Sequence, residues 1–208
     1  MGCSELMENG LVKAEDMPRF VSRIHSEASR LVTLVDDIIG LSQLDENAEF
    51  PKEDVDLLTL AEEEVGALAA TAKDKDIKIS VGGEEITVTG VRRLLHEIVY
   101  NLCDNALRYT EAGGKVGVTV GKEENEAVIT VSDTGIGIPP EDLDRVFERF
   151  YRTDKSRSKE TGGAGLGLSI VKHAVSYLGG RISLDSAQGI GTTFKVYLPK
   201  DPEDHSDD

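Results

Sequence analysis

Residues 91–110 read VRRLLHEIVYNLCDNALRYT and contain two arcs of different polarity at helical spacing. At about 100° per residue, the apolar side chains share one arc, and Glu97, Asn101, Asn105 and Arg108 share a second arc of roughly 80° beside it. A carboxylate and two carboxamides one turn apart present oxygen atoms along one helix edge, and Mg²⁺ prefers oxygen ligands. The segment therefore predicts an amphipathic helix with a candidate site for Mg²⁺ and phosphate, unless the polar arc is an ordinary solvated face.

Strands and further helices surround this segment in a pattern typical of an α+β sandwich. Alternating apolar residues predict strands at 77–81, 115–120, 127–131, 181–184 and 192–198, and helical periodicity predicts helices at 57–73, 91–110 and 166–178. Hairpin-paired strands with three helices between them place a sheet on one side of the core and helices on the other. We expect this domain to occupy residues 53–199, followed by an acidic, disordered tail at 200–208.

The first 47 residues show a different pattern. A helix predicted from Asp16 to about Asp45 carries apolar residues at heptad spacing, which indicates a helix packed in a bundle or coiled coil. Residues 4–7 predict only the last turn of an earlier helix, so the long helix is expected to lack its packing partner within this part of the chain. A joint around Pro51 follows. The heptad positions are Phe20, Ile24, Leu31, Leu34, Ile38 and Leu41.

Charge and composition exclude several classes of protein. With 23 basic and 39 acidic residues the formal net charge is −16, which argues against nucleic acid or an anionic membrane surface as the main partner. No apolar run approaches the roughly 18 residues that a membrane span needs, and the N-terminus does not resemble a signal peptide. Cys3 and Cys103 form neither a disulfide framework nor a metal-ligand set, which favours a reduced cytosolic protein.

A second candidate site follows the strand predicted at 127–131, where residues 133–139 read DTGIGIP. Its two glycines allow backbone torsions and close approaches that a Cβ forbids. The carboxylate of Asp133 only accepts hydrogen bonds, so it can select the exocyclic amine of adenine, whereas the carbonyl oxygen of guanine would be repelled. A simple glycine-rich turn after a strand is the alternative.

Two further segments point to phosphate. Residues 162–168 read GGAGLGL and open into the helix predicted at 166–178, and free amides at a helix N-terminus bind phosphate. This spacing differs from the P-loop and the dinucleotide fingerprint, and a flexible hinge would have the same composition. Residues 149–159 hold five basic side chains and one acidic one, so they could neutralise a triphosphate during transfer or form a solvated loop.

In their order and spacing, these segments resemble the catalytic, ATP-binding domain of bacterial sensor histidine kinases. That family belongs to the GHKL ATPases, with gyrase, the mismatch-repair protein MutL and the heat-shock chaperone as distant relatives. The shared pattern is Glu-x₃-Asn-x₃-Asn, Asp-x-Gly-x-Gly, Phe-x-x-Phe-Tyr-Arg and the G-x-G-x-G helix start, within residues 53–199. The resemblance implies a Bergerat-type ATP-binding fold, ATP and Mg²⁺ as cofactors, and a response regulator receiver domain and a second copy of the parent protein as partners.

The resemblance also implies roles for individual residues. Asn101 matches the Mg²⁺ ligand, Glu97 the carboxylate that polarises the attacking group, and Asp133 the adenine-reading carboxylate. Arg152 resembles a catalytic contact to phosphate, and Arg108 stands where lysine is common. Phe147 and Phe150 match the box that anchors the lid, and the remaining ATP-binding matches are Asn105, Arg108, Tyr109, Gly135, Gly137, Ile138, Gly163, Gly165, Leu166, Gly167 and Thr193.

The resemblance further implies that residues 1–47 are a truncated dimerisation and histidine-phosphotransfer hairpin, mainly its second helix. The chain departs from the family at the phosphoacceptor, a His-Glu-x-Arg/Lys-Thr-Pro box on the first hairpin helix. No such box occurs here, because His25 is followed by Ser26-Glu27 and His96 belongs to the segment at 91–110, where it is expected to pack or meet solvent. We therefore expect a fragment that begins after the acceptor, binds ATP and does not phosphorylate itself.

The function implied is the cytoplasmic kinase core of a membrane-anchored sensor histidine kinase. It would transfer the γ-phosphate of ATP to a histidine of the first hairpin helix, from which it passes to a response regulator aspartate. Two alternatives remain at this point: a nucleotide-binding regulatory module without kinase output, and a machine-type GHKL ATPase in which Glu97 would activate water.

Overall fold

The computed structural model describes residues 3–25, 28, 31–32, 35, 39, 50–152 and 165–199, and it divides the chain into two compact units. In the first unit, Met1–Ser42, α1 spans Cys3–Glu8. Gly10, at φ +64°, turns the chain before α2, which begins at residue 17 and is helical at each described position up to 39. Ile24 and Leu31 of the heptad are exposed on α2, whereas Leu34, Ile38 and Leu41 lie outside the described residues.

The second unit, Gln43–Asp208, contains a five-stranded sheet, a two-stranded sheet and three helices within the residues described. Its strands are β1 (Glu53–Asp56), β2 (Lys78–Gly83), β3 (Thr87–Gly90), β4 (Lys115–Glu123), β5 (Glu126–Asp133), β6 (Arg181–Ala187) and β7 (Gly191–Pro199). Its helices are α3 (Leu57–Asp74), α4 (Arg92–Tyr109) and α5 (Gly167–Tyr177), with a short 3₁₀ turn at Pro140–Asp142. The predicted tail at 200–208 lies outside the described residues.

The large sheet has the strand order β2-β4-β5-β7-β6, with β2 parallel to β4 and every other pair antiparallel. Each strand and helix predicted between residues 57 and 198 is present, with bounds shifted by at most three residues. Helices α3, α4 and α5 cover one face of the sheet. The predicted two-layer α+β architecture is therefore confirmed.

The small sheet was not predicted. Strand β1 pairs antiparallel with β3, and their only apolar residues, Val55 and Val88, lie opposite one another and are buried in the core. Four-residue strands that carry one apolar side chain each give no alternating pattern. The segment interpreted as a joint around Pro51 therefore ends in a strand that belongs to the domain.

Helix α4 lies in the middle of the helical layer and fixes the position of the candidate site. Its predicted apolar arc is confirmed, because all five of its residues are buried against α3, α5 and the sheet. Burial of one arc holds the helix at a fixed rotation, so its polar edge faces a constant direction. The buried arc consists of Leu95, Ile98, Val99, Leu102 and Ala106.

None of the helices in the described part of the chain combines the length and the apolar character needed to cross a membrane.

Candidate nucleotide site

The polar edge of α4 meets the first turn of α5. The Nδ2 amide of Asn101 donates to the backbone carbonyl oxygen of Glu97 at 2.8 Å, which leaves Oδ1 directed away from that carbonyl. A Cβ on Gly167, the first residue of α5, would lie only 2.8 Å from Asn101 Oδ1. Glycine at 167 therefore leaves space for this oxygen, and two of the four sequence segments come together here.

At the other end of the site, Asp133 closes strand β5. Its Oδ1 accepts a hydrogen bond from the backbone N–H of Gly135 at 2.8 Å. Burial raises the pKa of the Asp133 carboxyl, and backbone hydrogen bonds from Gly135 and Thr192 oppose that rise. The result is a partly desolvated, fixed acceptor, which can read an amine donor because an unpaired buried carboxylate is costly.

The glycines after Asp133 allow two close backbone approaches. A Cβ on Gly135 would lie 2.4 Å from the carbonyl oxygen of Tyr109 at the end of α4. Gly137 has φ +66°, and a Cβ there would lie 2.1 Å from the carbonyl oxygen of Ala187 at the end of β6. The Asp133 loop is therefore held between α4 and β6, and Tyr109 lies beside it through its backbone.

A hydroxyl cluster supports this loop and contains Ser186, a residue that sequence reasoning missed. The N–H of Ile138 donates to Ser186 Oγ at 2.9 Å, and that hydroxyl lies 3.0 Å from Thr192 Oγ1. Ser186 also donates to the carbonyl oxygen of Gly191 at 2.9 Å. Through these hydrogen bonds, Ser186 connects the turn at Ile138 to strands β6 and β7.

The register also separates the two neighbouring threonines of β7. Thr192 pairs with Asp133, whereas Thr193, the residue matched from the sequence, pairs with Ser132 on the opposite face of the sheet. The threonine on the face of Asp133 is therefore Thr192. A sequence signal for this existed, because the buried residues Phe194 and Val196 alternate in phase with Thr192.

The predicted lid is described at its two ends only. The N–H of Phe150, itself at φ +63°, donates to the carbonyl oxygen of Gly165 at 2.9 Å. A Cβ on Gly165 would lie 2.9 Å from the carbonyl oxygen of Tyr151, so the two ends of the segment between them meet. Arg152 is half-buried at the first end, Leu166 is buried at the second, and residues 153–164, with Gly163, lie outside the described residues.

Aromatic side chains fix the first end of the lid. The Phe147 ring packs edge-on against Phe194 of β7 at a centroid distance of 6.2 Å. The hydroxyl of Tyr151 donates to Asp142 Oδ1 at 2.5 Å, and the Arg145 guanidinium lies 4.2 Å from the centre of the Tyr151 ring. Phe147 thus packs against the sheet at this end, whereas the side chain of Phe150, the other expected anchor, is exposed. The clamp around Tyr151 was not anticipated.

Two ion pairs along α4 hold the charged candidates. Arg93 Nε lies 3.3 Å from Glu97 Oε1, and Arg108 Nε donates to Asp104 Oδ2 at 2.6 Å. Sequence reasoning missed Arg93 and Asp104, although each stands four residues from its partner on the helix. Asn105 is half-buried on the same edge.

His96 has a structural role. Its Nε2 lies 2.7 Å from Oε1 of Glu64, a buried residue of α3. Burial is the main cause that raises the pKa of the Glu64 carboxyl, while His96 opposes the rise. His96 therefore ties α4 to α3, while its half-exposed side chain also meets solvent.

The donor set fits a metal bound mainly through its nucleotide. The described residues contain no group of three or more His, Cys, Asp or Glu side chains able to hold a metal ion. Asn101 Oδ1, in the space left by Gly167, is an oxygen donor of the kind that Mg²⁺ accepts while it keeps waters and phosphate oxygens.

Comparison with known proteins agrees with this geometry. Residues 90–202 match the family model described as histidine kinase-, DNA gyrase B-, and HSP90-like ATPase. The sensor-like histidine kinase SenX3 of Mycolicibacterium smegmatis is 37% identical, with 100% of this chain and 56% of SenX3 covered. The chain spans about half the length of the curated relatives it matches first.

Solved structures give the same result. The mycobacterial sensor histidine kinase MprB matches with a TM-score of 0.61 and 33% identity, covering 72% of this chain and 97% of that one. The histidine kinase ThkA, solved in complex with the response regulator protein TrrA, matches with a TM-score of 0.75 and 25% identity, over 95% of this chain and 55% of that one. The resemblance inferred from the four segments is confirmed.

Proposed function

Because this chain belongs to the histidine kinase-, DNA gyrase B-, and HSP90-like ATPase family, we propose that it is the kinase core of a sensor histidine kinase. The domain at 53–199 would bind ATP with Mg²⁺ and transfer the γ-phosphate to a histidine of a first hairpin helix. Since the relatives matched are sensor histidine kinases, the machine-type ATPase and the module without kinase output are not favoured.

One observation carries the proposal: α4 connects both ends of the candidate site. Tyr109 contacts the loop of Asp133 through its carbonyl oxygen, and Asn101 contacts Gly167 through its side chain. Asn101 and Tyr109 are eight positions apart on the helix, which corresponds to about 12 Å along its axis. An elongated nucleotide with a base at one end and phosphates at the other fits this arrangement.

At the base end, Asp133 would accept a hydrogen bond from the exocyclic amine of adenine. The loop of Gly135 and Gly137, held against the backbone of Tyr109 and Ala187, would form the floor beneath the ring. Thr192 would support the carboxylate through its backbone N–H, which already donates to it. Ser186 would hold the turn at Ile138 in place. Guanine carries a carbonyl oxygen where adenine carries the amine, so it would meet the carboxylate unfavourably.

At the phosphate end, Asn101 would hold Mg²⁺, which neutralises phosphate charge when bound. Arg108 and Arg152 would add positive charge, and the amides at the start of α5 would face the phosphates. Glu97 would accept the N–H proton of the attacking imidazole as its other nitrogen bonds to the γ-phosphorus and ADP leaves. Alignment and charge neutralisation would supply most of the rate.

The remaining steps would need partners beyond the domain at 53–199. We infer that the phosphoryl group passes from the histidine to a response regulator aspartate, which the complex of the ThkA relative with TrrA supports. A homodimeric, membrane-anchored parent with this part in the cytoplasm remains our proposal. Without an acceptor box, the chain would bind ATP and not label itself.

Calorimetry and labelling test the proposal. ATP should bind more tightly than GTP, and γ-labelled ATP should leave no acid-labile, base-stable label on the chain alone. Adding a hairpin that carries the phosphoacceptor histidine should give label on the hairpin. Equal affinity for ATP and GTP, or label on the chain alone, would contradict the assignment.

A further inference from the structure

A line of side-chain contacts joins the start of the described part of the second unit to the polar edge of α4. Phe50 is the first residue of this unit that the structure describes. Its ring packs edge-on against that of Tyr177 at the end of α5, with ring centroids 5.4 Å apart. The Phe50 N–H also donates to the Tyr177 hydroxyl at 3.2 Å. Phe50 is therefore held by both its backbone and its ring.

Arg93 forms the next contact. Its guanidinium carbon lies 5.3 Å from the centre of the Phe50 ring, and its Nε lies 3.3 Å from Oε1 of Glu97. A guanidinium within about 6 Å of a ring centre is attracted to the ring face. The same planar group thus contacts an aromatic ring and the carboxylate that the proposed mechanism uses.

We propose that Arg93 is a positioning residue for Glu97, and that Phe50 sets the position of Arg93. This rests on the proposed function, because the position of Glu97 matters only if phosphoryl transfer occurs. Arg93 is half-exposed, and an exposed ion pair one turn apart is weak when both side chains are free to rotate. Confinement of the guanidinium by Phe50 removes part of that freedom, so the carboxylate would keep one orientation.

Displacement of Phe50 from Tyr177 would release Arg93, and with it Glu97. Neither Phe50 nor Arg93 is among the residues assigned to the nucleotide. The rate of transfer would therefore change while the affinity for ATP stays constant.

Variants of the 208-residue chain test this, beginning with Arg93→Ala, Phe50→Ala, Phe50→Leu and, as a matched control, Arg92→Ala. Arg92 precedes Arg93 on α4 and pairs at 2.6 Å with Glu63 of α3, away from Phe50. Phe50→Leu keeps an apolar side chain against Tyr177 but removes the ring face, which guards against a folding defect.

The rate of labelling of a histidine-bearing hairpin and the Kd for ATP are measured for each. Arg93→Ala and both Phe50 variants should lower kcat about three- to tenfold. Their KM and Kd for ATP should stay within about twofold of the values of the unsubstituted chain. Arg92→Ala should leave both unchanged, and Arg93→Lys should restore part of kcat. Combining Arg93→Ala with Phe50→Leu should add little, because the two act through one contact.

A nuclear magnetic resonance measurement needs no acceptor. The Arg93 Nε–H signal should shift in both Glu97→Gln and Phe50→Leu, while a Phe50→Leu spectrum with that signal unchanged would overturn the proposal. Equal kcat for Arg93→Ala and Arg92→Ala would overturn it as well, as would full activity of Glu97→Gln. If the unsubstituted chain did not bind ATP, that result would instead contradict the proposed function.

Discussion

The two ends of the candidate site are built from different kinds of contact. Around Asp133, backbone groups of β5, β7 and the end of α4 hold the carboxylate and its loop. Along the phosphate edge, long side chains such as Glu97 and Arg108 pair with other long side chains on the same helix. A base site held by backbone groups would be preformed, whereas an ion pair on an open helix edge, such as Arg108–Asp104, can exchange partners. Nucleotide binding should therefore rearrange the phosphate end more than the base end.

The largest expected effect is on the backbone-built end. Gly137→Ala would place a Cβ about 2.1 Å from the Ala187 carbonyl oxygen, at a backbone conformation unfavourable for alanine. We expect unfolding free energy to fall by about 3 kcal/mol, measured by urea denaturation. Gly113→Ala is the control, because Gly113 also has positive φ, at +83°, but nothing lies within 4 Å of its Cβ position. Equal losses in the two variants would show that close approach at Gly137 is unimportant.

Asp133→Asn tests the base end directly. Loss of a charge-assisted hydrogen bond costs about 2 kcal/mol, so we expect ATP to bind about thirtyfold more weakly. Calorimetry with ATP and GTP measures the effect, and the preference for ATP should largely disappear. A variant that keeps the full preference would remove Asp133 from the base site.

Although Asp133→Asn should weaken ATP binding, it should make the ligand-free fold more stable. Burial raises the pKa of Asp133 above its ordinary value of 3.8, so the folded chain takes up a proton there more readily than the unfolded chain. Stability linked to this group is therefore full below the unfolded-state pKa and is lost as pH rises through the folded-state value. Near neutral pH, the ligand-free Asp133→Asn variant should have a higher free energy of unfolding in urea than the unsubstituted chain. The difference between the two free energies should become smaller toward about pH 4. A less stable variant at neutral pH would contradict this.

The smallest effect is expected at the phosphate end. Arg108→Ala should weaken the binding of ATP about two- to fivefold and leave the binding of adenosine unchanged, because one solvent-accessible charge contributes less than about 1 kcal/mol. Asp104→Ala, which removes the partner of Arg108 without touching the nucleotide, separates loss of the pair from loss of the cation. Both affinities are measured by calorimetry. An Arg108 effect larger than that of Asp133→Asn would reverse the comparison between the two ends.

The sequence predicted those features that repeat with a regular period. Helix α4 and its buried arc follow from 3.6-residue spacing, and the strand before Asp133 follows from alternation. Strands β1 and β3 escaped prediction because each carries a single core valine and depends on pairing with the other.

Contacts between distant segments were the harder part of the site. Nothing in the spacing of Asn101 and Gly167 shows that the side chain of one occupies the space left by the other. The choice between Thr192 and Thr193 depended on strand register, since a shift of one residue reverses the face. Arg93 was overlooked because its second contact, Phe50, lies 43 residues earlier in the sequence.

The account depends on a single nucleotide site that extends from Asp133 to the first turn of α5. Titration of ATP, followed by the backbone amide signals of the chain, tests it most directly. The signals of Gly135, Gly137, Gly165 and Gly167 should all shift with one common Kd, while adenosine should shift chiefly the first two. Two different Kd values, or shifts at only one end with ATP, would contradict a single site.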